Sequence, residues 1–441
     1  MSLLTPVRPT PVPTFGPRPT PPDRRRARQL PNRPLAVALT AVVAMLPLLR
    51  PSGPLNSSPV DLFVILALGS GLLAWSQRAM PVRGPYSVAI AFLLVGGCLG
   101  ALVGPDPSAG LLAIVQDLPL FAICAVATSA MANRRVFQAV ITAWARAAIV
   151  WAGLLAVGVF GHISLLSGIK AQYGVRAALT MGDPNAAANY LALSFFVVLA
   201  AGVPRRRPLR IAGLVLVFLG IILTGSNGAV SAVICGGSVA TVAGLAVRHR
   251  MHLASSVMVL AAGLGVLAGA LPLNSYLVDI GTRAQQSSTP IVRDSVGRVG
   301  QSAGTRSELY GEAWHLYTTG DALGGGPGST KARLEAEQAP YVKEAHSDYS
   351  AALLERGPIG EAGVFLLLAT AWAQVWHVLV RRRRSVLPAR AAPLLGAVTA
   401  MSISGAFYEV LHFRQVWLLL AVVAAFRRLE PAPTEDADAT R

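Results

Sequence analysis

Charge is scarce in this chain. Asp, Glu, Lys and Arg make up 13% of its 441 residues, against roughly 25% in an ordinary soluble protein, while 53% of it is hydrophobic. Mean hydropathy is +0.54. Apolar residues in long runs with so little charge exclude an ordinary soluble domain and indicate the membrane class. Acidic residues are scarcer still, 21 against 38 basic ones, giving a formal charge of +17. That excess does not indicate a nucleic-acid partner. The basic residues collect on no single face and sit in short clusters between apolar runs, where cytoplasmic loops are expected. Cysteine is nearly absent. Cys98, Cys124 and Cys235 each lie inside an apolar run, without metal or disulfide spacing, and read as small packing residues. There is no His-Glu-x-x-His, no paired Cys-x-x-Cys, no carboxylate cluster and no internal repeat. Gly324–Lys331 superficially looks like a phosphate loop but lacks the Gly-Lys-Ser/Thr ending and a preceding strand, so it is a tight turn. Neither a cofactor nor a metal is expected.

What is present is a series of apolar runs, at 35–49, 60–75, 86–103, 110–128, 136–160, 185–203, 209–225, 228–247, 253–271, 359–380, 387–404 and 415–427. They predict an all-α, polytopic transmembrane bundle of about twelve spans. Residues 1–33, rich in Pro and Arg, are expected to be a disordered cytoplasmic tail rather than a signal peptide. Spans 1–9 occupy 34–271, a large external loop 272–358, spans 10–12 the stretch 359–428, and a second tail 429–441. Every even connection is basic: Arg78 and Arg83, Arg134 and Arg135, Arg205–Arg207 with Arg210, Arg248 and Arg250, and Arg381–Arg384. Among the odd connections the first holds only Arg50, and the third and seventh hold no Lys or Arg, a pattern that puts both termini in the cytoplasm and implies an even number of spans. Only Ser226 and Asn227 separate two of the runs, so the turn there is very tight.

Two odd connections are long, 161–184 and 272–358, and long loops are commonly functional. Within the second, Thr305–Tyr317 and Tyr341–Arg356 have helical patterns, the latter closed by Gly357-Pro358. On that helix His346, Tyr349, Ser350 and Leu353 share a face, and histidine is the side chain suited to take a proton near neutral pH. Lys170 and Arg176 in the first connection suit a phosphate or a lipid head group. Asp183-Pro184 is a helix start, with Asp as N-cap. Asp117 and Arg146 lie inside apolar runs, where charges face the bundle interior and commonly pair, here with each other if their depths agree. Glu409, His412 and Arg414 cluster in the last external connection, to line the outer site or to anchor helix ends.

Four segments resemble one family. Gly304-Thr305-Arg306-Ser307-Glu308-Leu309-Tyr310, then Trp314 and Gly324-Gly325-Gly326-Pro327-Gly328, resemble the Arg…Trp…Gly-x-Gly-Pro-Gly region of the O-antigen ligase and O-antigen polymerase proteins. Ala345-His346-Ser347-Asp348-Tyr349 followed by Leu354-Glu355-Arg356-Gly357-Pro358-Ile359-Gly360 resembles their signature before a late span. Arg176 with Gly182-Asp183-Pro184-Asn185 is similar to their Arg…Gly-x-x-Pro-Asn segment, and Leu223-Thr224-Gly225-Ser226-Asn227-Gly228-Ala229 to their Thr-x-Ser-Arg-Gly-Ala turn. The segments occur in the family's order and cover roughly 170–425. The turn departs from the pattern in having Asn227 where the family usually has arginine. That role is not carried over, and Lys170 is a candidate to supply the missing contact.

The resemblance implies a metal-independent, inverting glycosyltransferase of the bacterial cytoplasmic membrane. Its donor would be a glycan on polyprenyl diphosphate. Its acceptor would be a glycan or glycolipid on the outer face, or, in a polymerase, a second lipid-linked repeat. It implies His346 as the catalytic base and Arg176 and Arg306 as diphosphate ligands, with Lys170, Tyr349, Glu355 and Arg414 as further substrate-binding residues. Membrane lipids are the remaining expected partners. Twelve spans also suit a transporter, which predicts similar halves; the single late loop makes the halves unlike. A non-catalytic envelope-assembly protein is the third reading, supported by the departure at Asn227.

Overall fold

The computed structural model describes residues 33–51, 57–170, 174–248, 282–288, 293, 310–320, 322–336, 346–381 and 391–429. Every regular element among them is helical. In chain order these are α1 (Arg33–Met45), α2 (Pro59–Ser76), α3 (Ser87–Val103), α4 (Pro107–Ala130), α5 (Arg134–Phe160), the short α6 (Ser164–Ser167), α7 (Pro184–Ala201), α8 (Arg207–Thr224), α9 (Asn227–Arg248), α10 (Thr330–Ala336), α11 (Asp348–Arg381), α12 (Ala391–Phe407) and α13 (Arg414–Leu429). Residues 310–319 are helical as well.

Seven of these helices, α2, α4, α5, α7, α8, α9 and α11, are long and apolar enough to cross a membrane, and α1, α3 and α12 are shorter apolar helices. Eleven of the expected runs lie on helices; the run at 253–271 and both tails lie outside the described residues.

Local chemistry sets the helix ends. Asp183 accepts the backbone N–H groups of Asn185 and Ala186 at 2.7 and 3.0 Å, with Pro184 at the first turn, as the sequence requires. Asp106 and Pro107 start α4 in the same way. The tight turn between α8 and α9 is Gly225, whose φ of +61° ends one helix two residues before the next begins.

Burial is concentrated on α7 and α13. Nearly the whole of α7 is buried, and α13 is buried without a break from Gln415 to Phe426. A helix buried on all sides must be central. Side-chain bonds tie these two to each other and to α5: Trp144 Nε1 donates to Ser194 Oγ at 2.9 Å, and Gln415 Nε2 to Asn189 Oδ1 at 3.2 Å.

The expected helix Tyr341–Arg356 is corrected in two ways. Residues 341–345 lie outside the described residues, and the helix begins at Asp348, not before His346. His346 has φ +49°, a left-handed conformation that ends any helical face shared with Tyr349 and Ser350. At Gly357 (φ +63°, ψ −173°) the helical path breaks, as Gly357-Pro358 predicts, but the chain resumes at once and runs on to Arg381.

Candidate functional site

The break in α11 explains why two of the sequence segments meet. Pro358 has no N–H, so the Leu354 carbonyl loses its usual helical donor. Gly325 N–H replaces it at 2.8 Å, and Gly326 N–H reaches the Glu355 carbonyl at 3.0 Å. The buried Glu355 side chain then accepts from Gly328 N–H at 2.8 Å and Thr330 Oγ1 at 2.7 Å. The Gly324–Gly328 turn is thus fastened to α11 through backbone and carboxylate together.

α3 allows this approach through Gly96, Gly100 and Gly104, one face at four-residue spacing. A Cβ on Gly96 would stand 2.5 Å from the Arg356 carbonyl oxygen, one on Gly100 2.3 Å from that of Glu355, and one on Gly104 2.2 Å from that of Gly325. No side chain fits at these three positions.

From Arg356 a chain of charged groups leads to His346. Arg356 Nη2 donates to Asp117 Oδ2 at 2.6 Å, and both residues are buried. Asp117 Oδ1 faces His412 Nδ1 at 3.8 Å, and His412 Nε2 faces Glu409 Oε2 at 3.5 Å. Glu409 Oε1 accepts the backbone N–H of His346 at 3.1 Å. Partial burial pulls the His412 pKa down, but Asp117 and Glu409 outweigh it and hold the imidazole well above its ordinary value, which favours its charged form. Asp348 Oδ1 accepts the Leu411 N–H at 3.1 Å, and the Tyr408 ring stacks on His346 at 5.8 Å and on Phe413 at 5.8 Å. The six-residue connection 408–413 therefore holds His346 through Glu409 and Tyr408 and the start of α11 through Leu411. Asp117, Asp348, Glu355, Arg356 and His412 line a cavity of about 40 Å³.

A second cluster adjoins the first. Arg176 Nε donates to the Thr224 carbonyl at 2.8 Å, and Nη2 to Asn185 Oδ1 at 2.9 Å. One guanidinium thus brackets the start of α7 and the α8–α9 turn, joining two of the four segments. Asn185, Asn189, Ser226, Ser404 and Tyr408 line one small cavity beside it. Asn189 Nδ2 and Ser404 Oγ, both buried, have no protein partner there. Tyr408 is shared, so Arg176 and His346 belong to one contiguous polar region.

The other expected site residues take different places. Tyr349 donates its hydroxyl to the Ser402 carbonyl at 3.0 Å and stacks on Phe365. Arg414 forms a bidentate pair with Asp61 at 2.6 and 2.7 Å, an acid whose carboxylate also caps Ser58 at the start of α2. Lys170 is half-buried at the edge of the described part of its loop, and Arg306 lies outside the described residues. Asn227 is the first residue of α9. The expected pairing of Asp117 with Arg146 does not form: Arg356 takes Asp117, while Arg146 is exposed and lines a separate cavity. The sequence reading assigned no role to Arg356 or Asp348, although both stand inside the quoted signature. Among the described residues, no group of His, Cys, Asp and Glu is arranged to hold a metal ion.

Three of the segments assembled here, at the α8–α9 turn, the Gly-rich turn and the start of α11, fall within one stretch of chain. Residues 212–365 match the O-antigen ligase family. The resemblance drawn from the sequence holds over this stretch. The ligase-family match begins after Arg176 and Asn185 and ends before the 408–413 connection, so these groups join the site through the fold. No curated protein matches the chain. The family match and the apolar helices together support a role in glycan transfer at a membrane.

Proposed function

We propose that this protein transfers a glycan from polyprenyl diphosphate to an acceptor hydroxyl on the outer face of a bacterial cytoplasmic membrane, as a ligase. The single observation that carries this reading is the placement of His346: a histidine fixed by Glu409 and Tyr408, next to the Arg176 bracket, in a stretch that matches the O-antigen ligase family. His346 takes the acceptor proton as the acceptor oxygen attacks the anomeric carbon. The bond from that carbon to the diphosphate oxygen breaks, and polyprenyl diphosphate leaves with the electron pair. A diphosphate is already a good leaving group, so the protein's work is orientation and charge neutralisation. Arg176 and Arg306 supply the neutralisation, assisted by Lys170, and no metal enters the scheme. Tyr349, Glu355 and Arg414 contribute by holding α12, the Gly-rich turn and α2 in place. A 40 Å³ cavity admits about one or two waters, so the donor lies above the charged chain rather than within it. The basic connections set both termini in the cytoplasm and give about twelve spans.

The decisive experiment is reconstitution of the full chain in liposomes with a lipid-linked oligosaccharide and candidate acceptors. Transfer to a non-identical acceptor with release of polyprenyl diphosphate supports the ligase reading. Glycan lengthening without such an acceptor indicates the polymerase, and no consumption of donor removes the enzyme assignment.

A further inference from the structure

The two ends of α7 carry different chemistry. Asn185, at its start, belongs to the site just described. The helix has 18 residues, about 27 Å at 1.5 Å per residue, so Ala201 and Gly202 lie at the far end of the bundle. A third cavity, of about 650 Å³, opens there, between α5, the connection after α7 and α8. Gln138, Thr142 and Arg146 of α5 line it, together with Arg205 and Arg210. Three guanidinium groups share this space, and among the described residues no carboxylate lines it. Arg210 Nη1 donates to the Gly202 carbonyl at 3.2 Å, which holds that guanidinium at the cavity. Cations gathered without an acid make a site for an anion.

The position of Arg146 narrows the anion's identity. It stands twelve residues into α5, about 18 Å from the helix start, and is exposed. An exposed cation at such depth in an apolar helix is costly unless a polar path or a counter-charge serves it. Gln138, Thr142 and Arg146 follow at four-residue steps and so share one face of α5. That face continues as Val150 and then Val157, 59% and 55% exposed, and Leu209 and Val215 of α8 are exposed as well. The surface is polar and cationic near one end and apolar beyond, the profile of a phospholipid lying along a helix. A free phosphate has no use for the apolar half.

We propose that this groove binds the phosphate head group of an anionic membrane lipid, with its acyl chains along the exposed face of α5. The groove is separate from the donor region, by the length of α7.

The test is native mass spectrometry of the full chain in detergent, titrated with phosphatidylglycerol, phosphatidylcholine or inorganic phosphate. The expected result is preferential retention of one phosphatidylglycerol. The combined variant Arg146→Gln, Arg205→Gln and Arg210→Gln should weaken it by about a hundred-fold, and Arg146→Gln alone by about five-fold. Arg78→Gln removes an exposed arginine elsewhere and should leave retention unchanged. If the combined variant fails to fold by circular dichroism, Arg146→Gln at its exposed position carries the test. Equal retention of the two lipids, or variants that bind like the wild type, would overturn the proposal. Displacement of the lipid by inorganic phosphate would overturn the lipid assignment and leave a simple anion site.

Discussion

The Glu409 carboxylate accepts the backbone N–H of His346 at 3.1 Å, across 63 residues of sequence. Its second oxygen faces the His412 imidazole at 3.5 Å, so one side chain both positions His346 and balances a cation. Glu409→Gln keeps an acceptor for the His346 N–H and removes the charge; Glu409→Ala removes both. The alanine variant should lower the transfer rate by about 10²-fold, the cost of a misplaced catalytic group, and the glutamine variant by clearly less. Equal rates for the two variants would mean that the bond to His346 is irrelevant to turnover.

His346 itself separates proton transfer from positioning. His346→Ala should insert in the membrane and bind donor, yet lose about 10² to 10⁴ in rate, the usual contribution of a general base. His346→Gln keeps a polar contact but takes no proton, and should be nearly as inactive. Retention of most activity by the glutamine variant would assign His346 to hydrogen bonding and place the base elsewhere, for instance on the donor's own phosphate.

Arg176→Lys preserves charge and loses the planar fork that spans Thr224 and Asn185. Both transfer and thermal stability should fall, since the start of α7 and the α8–α9 turn are no longer bracketed. Hydrogen bonds to a charged donor are worth about 1.5–3 kcal/mol each. A variant matching the wild type in melting temperature and rate would dismiss both the bracket and the diphosphate role.

The apolar runs, the Asp183 cap and the tightness of the turn after α8 were legible in the sequence, because each depends on residues within a few positions of one another; the turn itself is at Gly225, beside the Ser226-Asn227 pair to which the sequence pointed. Partners across the bundle were not. The sequence gives the depth of Asp117 in its span but not the direction in which its side chain leaves the helix, and its partner Arg356 is 239 residues away. The helix start beside His346 was hidden for a local reason. A run of helix-compatible residues through 341–356 hides the start signal at Ser347, whose carbonyl accepts the Ala351 N–H and so fixes the first turn after His346. The cluster Glu409, His412 and Arg414 was visible as polar residues between two apolar runs. Its division into two parts, one turned to His346 and one to Asp61, was not.

The raised pKa of His412 makes stability depend on pH. A histidine whose folded pKa exceeds the unfolded one, about 6.5, stabilises fully below that value and loses the contribution as pH rises through the folded pKa. The melting temperature of the wild type should therefore exceed that of His412→Gln most in mildly acidic buffer, with the gap closing toward alkaline pH. Because 55% of the His412 side chain is exposed, the gap is screened and should shrink in high salt. A gap that widens with pH would show that His412 folds neutral.

Gly100→Ala tests the approach of α3 to the broken helix. The added carbon would lie 2.3 Å from the Glu355 carbonyl oxygen, backbone that cannot yield without moving the Gly-rich turn. Overpacking of this kind costs about 1–3 kcal/mol, and both melting temperature and transfer should fall. Gly69→Ala, on a helix face where the new carbon meets nothing within 4 Å, is the matched control and should be silent.

The joint formed by Gly96, Gly100, Gly104, Glu355 and Gly357 has a consequence for any genetic survey of this protein. A screen that scores glycan output alone would return these positions beside His346 as equally intolerant, and Glu355 would pass for a reacting carboxylate. The two classes separate only when abundance in the membrane is scored as well. Lesions in the joint remove the protein, whereas a lesion at His346 leaves a full complement of inert molecules.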